Sequence, residues 1–375
     1  MNARQRFRET MCFGTPDKVP LEPGWPREST LRAWHQQGLP DGSDWQTVLY
    51  QTLGLPLDFP QPHQSLGVKF SMLPTFEEKV LQHRGGHYLV QDWMGAIVEI
   101  SDQYDYTYLR TAKDFVTRKW HRFPVQTRQD WIEKVQWRYD PHHAERLPVD
   151  FTERCHALQD REHVLRLDFN GPFWQLREWC GFEGLCLLMI EQPGFIQELV
   201  EFWEQFILKL LELILKQVVP DHVQVSEDMA YKIHSMISPG MVRCFLLATW
   251  VKWIAALKSA GCPVVTMDSD GYIGELIPLW IEAGFDGTWP VEAAAGNDLP
   301  AYRKFYGHNM AYGGGIDKRL LAAGGQAMHA ELMRVAPVIR DGGYIPGCDH
   351  GIPPDISWPN FVEYTRLLAQ LTGWL

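Results

Sequence analysis

Short apolar runs alternate with longer amphipathic stretches along most of this chain. Each run ends at Gly, Pro, Asp or Glu, a pattern typical of strands buried on both faces of a parallel sheet. The alternation predicts an α/β fold in which crossover helices join parallel strands, and eight runs predict closure into a (β/α)8 barrel. The eight predicted strands are residues 18–22, 66–73, 163–169, 222–227, 263–267, 285–289, 310–314 and 343–346.

The stretches between these runs have helical periodicity. From residue 196 to residue 214, apolar positions recur at i, i+3, i+4 and i+7, which predicts an amphipathic helix. Ser238 and Pro239 form an N-cap and first turn, and Gly261 ends the helix that they begin. Later helices are predicted over residues 274–283, 325–340 and 358–371.

Residues 81–158 are richer in charged and aromatic side chains and contain no clear barrel unit. Within them, residues 87–100 alternate in polarity, which predicts either a β-hairpin or a strand inserted after the second barrel strand. We interpret the chain as a single barrel domain over residues 1–375, with residues 81–158 as an inserted excursion that covers the barrel mouth.

Composition narrows the function classes. The chain has 375 residues, is 45% hydrophobic and carries a formal net charge of −11, without a cluster of Lys and Arg. This argues against nucleic-acid binding and against a polybasic membrane contact. The first residues lack an apolar signal core, and the most apolar stretch, residues 195–218, is interrupted by six charged residues. Seven cysteines without a CxxC pair suit a reducing compartment. We expect a cytoplasmic enzyme acting on a small molecule.

Polar residues directly after barrel strands face the catalytic pocket of such folds. Several carboxylates and an imidazole that converge there need a cation, a metal ion or protons to balance their charge. Capping of the next helix by Asp268 or Asp270, a solvated loop at 227–228 and a structural turn at His350 stay open as alternatives. The candidates are Asn170, Glu227, Asp228, Asp268, Asp270, Glu292, Asp317, Cys348, Asp349 and His350.

Other motifs are absent from the sequence. It has no GxGxxG, Walker, HExxH or GxSxG pattern. The three glycines at 313–315 therefore predict backbone room at a strand end, not a phosphate site.

Taken in order, several segments resemble the uroporphyrinogen decarboxylase-like superfamily. The similarity spans almost the whole chain and is strongest beyond about residue 220. It implies a (β/α)8 barrel whose active site lies at the C-terminal ends of the strands. The segments are residues 2–11, 16–20, 170–174, 268–271, 282–286, 292–296, 306–307, 314–317, 342–344 and 350–353.

Departures from the family patterns discriminate between its branches. The decarboxylases carry an Arg-Gln-Ala-Gly-Arg loop with two arginines after the first strand. The matching residues 22–28 here contain one arginine, Arg27. His350 matches a histidine of the decarboxylase pocket. The corrinoid-linked methyltransferases bind zinc through His-x-Cys after the fifth strand and Cys after the eighth. The matching positions here are Asp268, Asp270 and His350, a harder ligand set, so zinc, another metal or no metal stays open.

Our leading hypothesis is a corrinoid-linked methyltransferase. It would move a methyl group between a small O- or N-methylated substrate and the cobalt of a separate corrinoid protein. Asp270 and His350 would supply acid catalysis, alone or through a metal. Glu227 and Glu292 would orient the substrate or complete the metal shell, and the pocket wall would be formed by Asn170, Phe173, Trp174 and Tyr272.

Two alternatives remain from the sequence. The first is a cofactor-free decarboxylase that acts on a porphyrinogen or a smaller acid. The second is a non-catalytic barrel that binds a tetrapyrrole or a partner, and a homodimer stays open in each case.

Overall fold

Seven parallel strands form a curled sheet in the computed structural model, which describes residues 1–57, 63–107, 110 and 116–375. A second sheet of four antiparallel strands begins at Lys79 and ends at Arg122, so it starts two residues before the predicted excursion 81–158. The parallel strands occur in the order β1 (His63–Ser65), β6 (Val164–Asn170), β7 (His222–Ser226), β8 (Val264–Asp268), β9 (Gly287–Trp289), β10 (Ala311–Ile316) and β11 (Tyr344–Cys348). The antiparallel strands are β2 (Lys79–Arg84), β3 (His87–Gln91), β4 (Ile97–Ser101) and β5 (Arg118–Arg122).

Helices follow the parallel strands and pack on the outer face of the sheet. The described residues also include short π and 3-10 turns between Trp131 and Tyr139. The α-helices are α1 (Ala3–Met11), α2 (Glu28–His35), α3 (Trp45–Leu53), α4 (Arg128–Asp130), α5 (Phe151–Ala157), α6 (Pro172–Cys180), α7 (Phe182–Glu191), α8 (Pro193–Leu215), α9 (Pro239–Phe245), α10 (Leu247–Ser259), α11 (Ile277–Ala283), α12 (Leu299–Tyr306), α13 (Lys318–Ala323), α14 (Gly325–Asp341) and α15 (Trp358–Leu371).

The predicted parallel α/β sheet is confirmed from the third strand onward, but a closed eight-stranded barrel is not formed by the described residues. Residues 18–22 run beside β11 without forming a ladder; the Cys348 N–H donates to the Pro23 carbonyl at 3.2 Å. Pro20 and Pro23 have no N–H to donate, and this prevents regular pairing along the segment.

The second predicted strand, 66–73, is also wrong in position. The strand is β1, which ends at Ser65, and the chain beyond it is irregular. The carbonyl oxygens of Lys69 and Ser71 accept N–H groups from the buried Arg146 guanidinium instead of pairing with a strand. Satisfying these carbonyls through a side chain removes the need for a sheet partner.

The helices lie nearer to their predicted residue ranges than the first two strands do. The stripe over 196–214 lies in α8, where Leu199, Trp203 and Ile207 are fully buried. The helix predicted from Ser238 is divided into α9 and α10, with a bend of 58° between them. The helix predicted from residue 274 begins at Ile277, with a proline in its first turn, a position that suits the fixed φ of proline.

The N-terminal end of the parallel sheet is covered by α1. Phe7 and Met11 of this helix pack against the first residues of several strands. The contacted strand residues are Val164, Val264, Ala311 and Ile345.

Among the described residues, no single helix has both the length and the apolarity needed to cross a membrane, although α9 and α10 together reach them as a bent pair.

Candidate active site

Strand register brings the predicted polar residues to one edge of the sheet. Ser226 at the end of β7 is paired with Asp268 at the end of β8, and Asp268 is paired with Trp289 of β9. The loops that follow these strands therefore start at a common level, as expected for the carboxyl ends of parallel strands.

Asp268 is held by its neighbour strand. Its Oδ2 atom accepts hydrogen bonds from Ser226 Oγ and from Gln224 Nε2, each at 2.9 Å. Burial raises the pKa of Asp268 to about 6 despite the Ser226 contact, and the nearby charge of Asp270 acts in the same direction. Asp268 is thus a hydrogen-bond acceptor fixed against β7.

Asp270 and His350 meet although they are 80 residues apart in the chain. The distance from His350 Nε2 to Asp270 Oδ2 is 3.1 Å, and the side chains are 27% and 41% exposed, respectively. The hydrogen bond to Asp270 raises the pKa of His350 above its usual 6.5, although burial opposes this. His350 Nδ1 is buried and makes no hydrogen bond within the described structure. A protonated imidazole held in this way has one N–H on Asp270 and a second N–H to give to a ligand.

A cavity of about 500 Å³ lies beside this pair. Its size is within the range of small-molecule sites. Asp270 lines the cavity, together with Asp228, Tyr231, Met236, Glu292 and Arg319.

Glu292 was predicted from its position after the sixth strand, and it does line the cavity. It accepts a hydrogen bond from the Gly271 N–H at 3.0 Å and forms a 2.8 Å ion pair with Lys318. Lys318 Nζ is also 3.6 Å from Asp349 Oδ1, and this carboxylate is fully buried. The two carboxylates raise the pKa of Lys318, although burial lowers it.

Sequence reasoning missed Lys318 because it selected acidic residues after strands. The signal was present, since Lys318 follows Asp317 directly at the end of β10. Asp317 itself caps α13 and pairs with Arg319. Cys348 is buried, and burial raises the pKa of its thiol to about 12.

Asp228 forms a 2.9 Å ion pair with Arg177 of α6, which sequence reasoning also missed. Asp228 has a left-handed backbone conformation with φ 41°. Only burial and special contacts maintain such a conformation in a residue other than glycine. Burial raises the pKa of Asp228, and Arg177 opposes that effect.

Glu227 points away from the cavity and is fully buried. Its carboxyl group accepts hydrogen bonds from the Trp174 backbone N–H at 2.9 Å and from the Trp250 indole N–H at 2.8 Å. Burial raises the pKa of Glu227 to about 8. In this position Glu227 fixes the first turn of α6 against β7, and a direct catalytic role for it stays a prediction.

The predicted wall residues are dispersed. Phe173 is fully buried in α6, and the Trp174 indole N–H donates to Glu178 at 2.8 Å. Asn170 lines a second cavity, on the β6 side of the sheet. Tyr272 is half-buried in the loop after β8, where its backbone N–H donates to the Tyr231 carbonyl at 2.8 Å.

The predicted metal ligands Asp268, Asp270 and His350 do not come together as a three-ligand set. Within the part of the chain that the structure describes, no group of three His, Cys, Asp or Glu side chains is arranged to hold a metal ion. Asp270 meets His350, whereas Asp268 is turned to Ser226 and Gln224. Metal binding therefore remains an expectation from the sequence, and no chemical step is derived through it.

Comparisons with known proteins agree with this architecture. No protein-family model matches the chain, and no curated protein matches it in sequence.

Among solved structures, a methyltransferase from Methanosarcina mazei superposes with a TM-score of 0.58 at 12% identity, covering 100% of this chain and 98% of that one. A B12-independent methionine synthase from Shewanella sp. W3-18-1 has a TM-score of 0.40 at 12% identity, covering 60% of this chain and 67% of that one. A putative vitamin-B12 independent methionine synthase from Listeria monocytogenes has a TM-score of 0.32, also at 12% identity, with 60% and 68% covered. The full-length superposition on the first structure shows that this chain has the α/β fold of that methyltransferase.

Proposed function

We propose that this chain is a methyltransferase that moves a methyl group between a small O- or N-methylated substrate and the cobalt of a corrinoid carried by a separate protein. The observation that carries the proposal is the Asp270–His350 pair beside a cavity of about 500 Å³ at the carboxyl ends of the strands. The fold shared with a methyltransferase is consistent with this chemistry.

When the methyl group leaves an oxygen or nitrogen atom, that atom takes the electron pair of the broken bond. A proton delivered to it prevents charge from building up, so an acid at this position accelerates the step. The corrinoid supplies the nucleophile that accepts the methyl group; proton delivery falls to this chain. His350, protonated and held by Asp270, is the proposed donor through its unpaired Nδ1.

The surroundings suit this role for His350. Asp270 lines the cavity and is 41% exposed, so a partner-borne group can reach its carboxylate, and His350 lies directly behind it with Nδ1 buried. Glu292 is paired with Lys318. Asp270 is therefore the carboxylate that contributes most to stabilising the protonated form of His350. Asp228, which is ion-paired with Arg177, also lines the cavity.

The test is methyl transfer from methylcobalamin or to cob(I)alamin, measured by the change in cobalamin absorbance. A panel of aryl methyl ethers and methylated amines would serve as donors, with the unmethylated compounds as acceptors. Wild-type enzyme should catalyse exchange with at least one class, and His350→Gln should reduce the rate. Release of carbon dioxide from uroporphyrinogen, with no methyl exchange for any compound, would refute the proposal in favour of a decarboxylase.

A further inference from the structure

A second cavity, of about 550 Å³, lies on the β6 side of the sheet and shares no lining residue with the cavity beside Asp270. It is bounded by the end of β6, by α6, by the chain after β1 and by the antiparallel sheet. The proposed catalytic residues Asp270 and His350 do not line it. Binding in this cavity is therefore separate from the site of the proposed methyl transfer.

Charge of both signs faces this cavity. Arg118 of β5 is half-buried, and within the described residues it has no carboxylate at ion-pair distance; its one cation–π contact is with the Trp120 ring, 4.7 Å away. Burial lowers the pKa of Arg118, although Asp92 and Glu178 act against this. A desolvated guanidinium without an anion is costly, and a carboxylate ligand is its best partner.

Acidic groups come from the β6 side of the same cavity. Asp168 of β6 is 51% exposed and forms a 2.7 Å ion pair with Arg166, and Glu178 lies on α6. The Glu178 oxygens already accept N–H groups from Trp174 Nε1 at 2.8 Å and from Gln175 Nε2 at 3.2 Å. Burial raises the pKa of Glu178, and a cationic ligand beside it would favour its charged form.

Aromatic and sulfur-containing side chains form much of the remaining wall. Phe70 and Phe169 lie with their ring centroids 5.3 Å apart, and Trp93 with Met94 lies at the turn between β3 and β4. Ring faces attract cations, and methylated ammonium groups are the cations that need no hydrogen bonds there.

We infer that this cavity binds a small zwitterion that carries both a carboxylate and a methylated ammonium group. The carboxylate would pair with Arg118, while the ammonium group would lie against the rings near Asp168 and Glu178. A simple anion would face two carboxyl groups, and a simple cation would leave Arg118 unpaired. A ligand with both charges satisfies each wall of the cavity.

The experiment compares three ligands of nearly equal shape by isothermal titration calorimetry. Glycine betaine has both charges, choline lacks the carboxylate, and 3,3-dimethylbutanoate replaces the charged nitrogen with carbon. Wild-type protein should bind glycine betaine at least about tenfold more tightly than either of the other two, because each loses a charged contact. No corrinoid or methyl transfer is involved, so the outcome is independent of the proposed function.

Three variants test whether the ligand carboxylate contacts Arg118. Arg118→Gln should weaken glycine betaine binding by about tenfold or more and leave choline binding unchanged. Arg122→Gln, on the exposed end of the same strand, is the matched control and should behave as wild type. Met94→Trp, which narrows the cavity without changing charge, should weaken glycine betaine binding even if Arg118→Gln unfolds.

Three results would overturn the inference. The first is the absence of binding heat with glycine betaine up to ~10 mM, a concentration about tenfold above a Kd of about 1 mM for a weak specific site. The second is equal affinity for 3,3-dimethylbutanoate. The third is unchanged glycine betaine binding in a folded Arg118→Gln variant or in Met94→Trp.

Discussion

Replacing Asp270 with asparagine should lower the protonated fraction of His350. The pair has a 3.1 Å hydrogen bond, but Asp270 is 41% exposed, so water screens its charge. We therefore assign about 1 kcal/mol to the coupling, the upper end for solvent-accessible pairs. One kcal/mol is a factor of about five in an equilibrium. At pH values above both imidazole pKa values, Asp270→Asn should contain about fivefold less protonated His350.

The assay is an NMR titration of the His350 Cε1–H resonance in wild type and Asp270→Asn, which needs no substrate. The pKa of His350 should be lower in the variant, and the alkaline limb of kcat/KM should move to lower pH. Glu212→Gln, which alters an exposed pair with Lys216, is the control for net charge. An identical His350 titration in wild type and Asp270→Asn would refute the reasoning.

The same pair makes the stability of the fold depend on pH with a defined sign. Folding raises the pKa of His350 above its usual 6.5. The contribution to stability is therefore complete below pH 6.5 and is lost as the pH rises through the folded-state pKa. Asp270→Asn should show less of this loss.

Four further predictions test other parts of the structure. His350→Ala should lower kcat for methyl transfer by about 10² or more, as expected for loss of a general acid, and an unchanged rate would remove it from the mechanism. Because folding raises the pKa of Glu227 from 4.5 to about 8, wild-type Tm should fall over that pH range more steeply than the Tm of Glu227→Gln. Asp221→Ala leaves the buried Arg161 without its 2.7 Å partner and should cost about 3–5 kcal/mol in urea unfolding, against less than about 0.5 kcal/mol for the exposed Glu212→Ala. Gly313→Ala would place a Cβ atom 2.1 Å from Trp289 and should cost about 1–3 kcal/mol in the same assay.

Much of the parallel sheet could be predicted from the sequence because strands buried on both faces form continuous apolar runs. β6 to β11 lie at the predicted positions to within a few residues, and α15 covers the predicted range 358–371. The hairpin predicted over 87–100 is formed by β3 and β4, where Val90 pairs with Val98.

Prediction failed where local sequence does not determine pairing. An apolar run interrupted by Pro20 looks like a strand in composition, but its hydrogen bonding depends on the neighbouring β11. Likewise, the irregular path after β1 depends on Arg146, which is distant in the chain. Such tertiary contacts cannot be derived from periodicity.

For the site, position after a strand correctly grouped Asp270 with His350 but could not give side-chain direction. Glu227 and Asp228 are adjacent in sequence, yet the first is buried behind the sheet and the second lines the cavity. Their side chains point in different directions because the backbone of Asp228 is left-handed. An aspartate in the sequence does not by itself predict that conformation. Arg177 and Lys318 were not predicted because the candidates taken after the strands were mainly acidic residues.

The packing of α1 against the first residues of the strands has a consequence for molecular traffic. Phe7 and Met11 plug that end of the sheet with apolar side chains, so a molecule bound at the opposite end cannot leave through it. Removing the first turns of the chain would expose this apolar end to water and would give small molecules a route that the folded chain denies them.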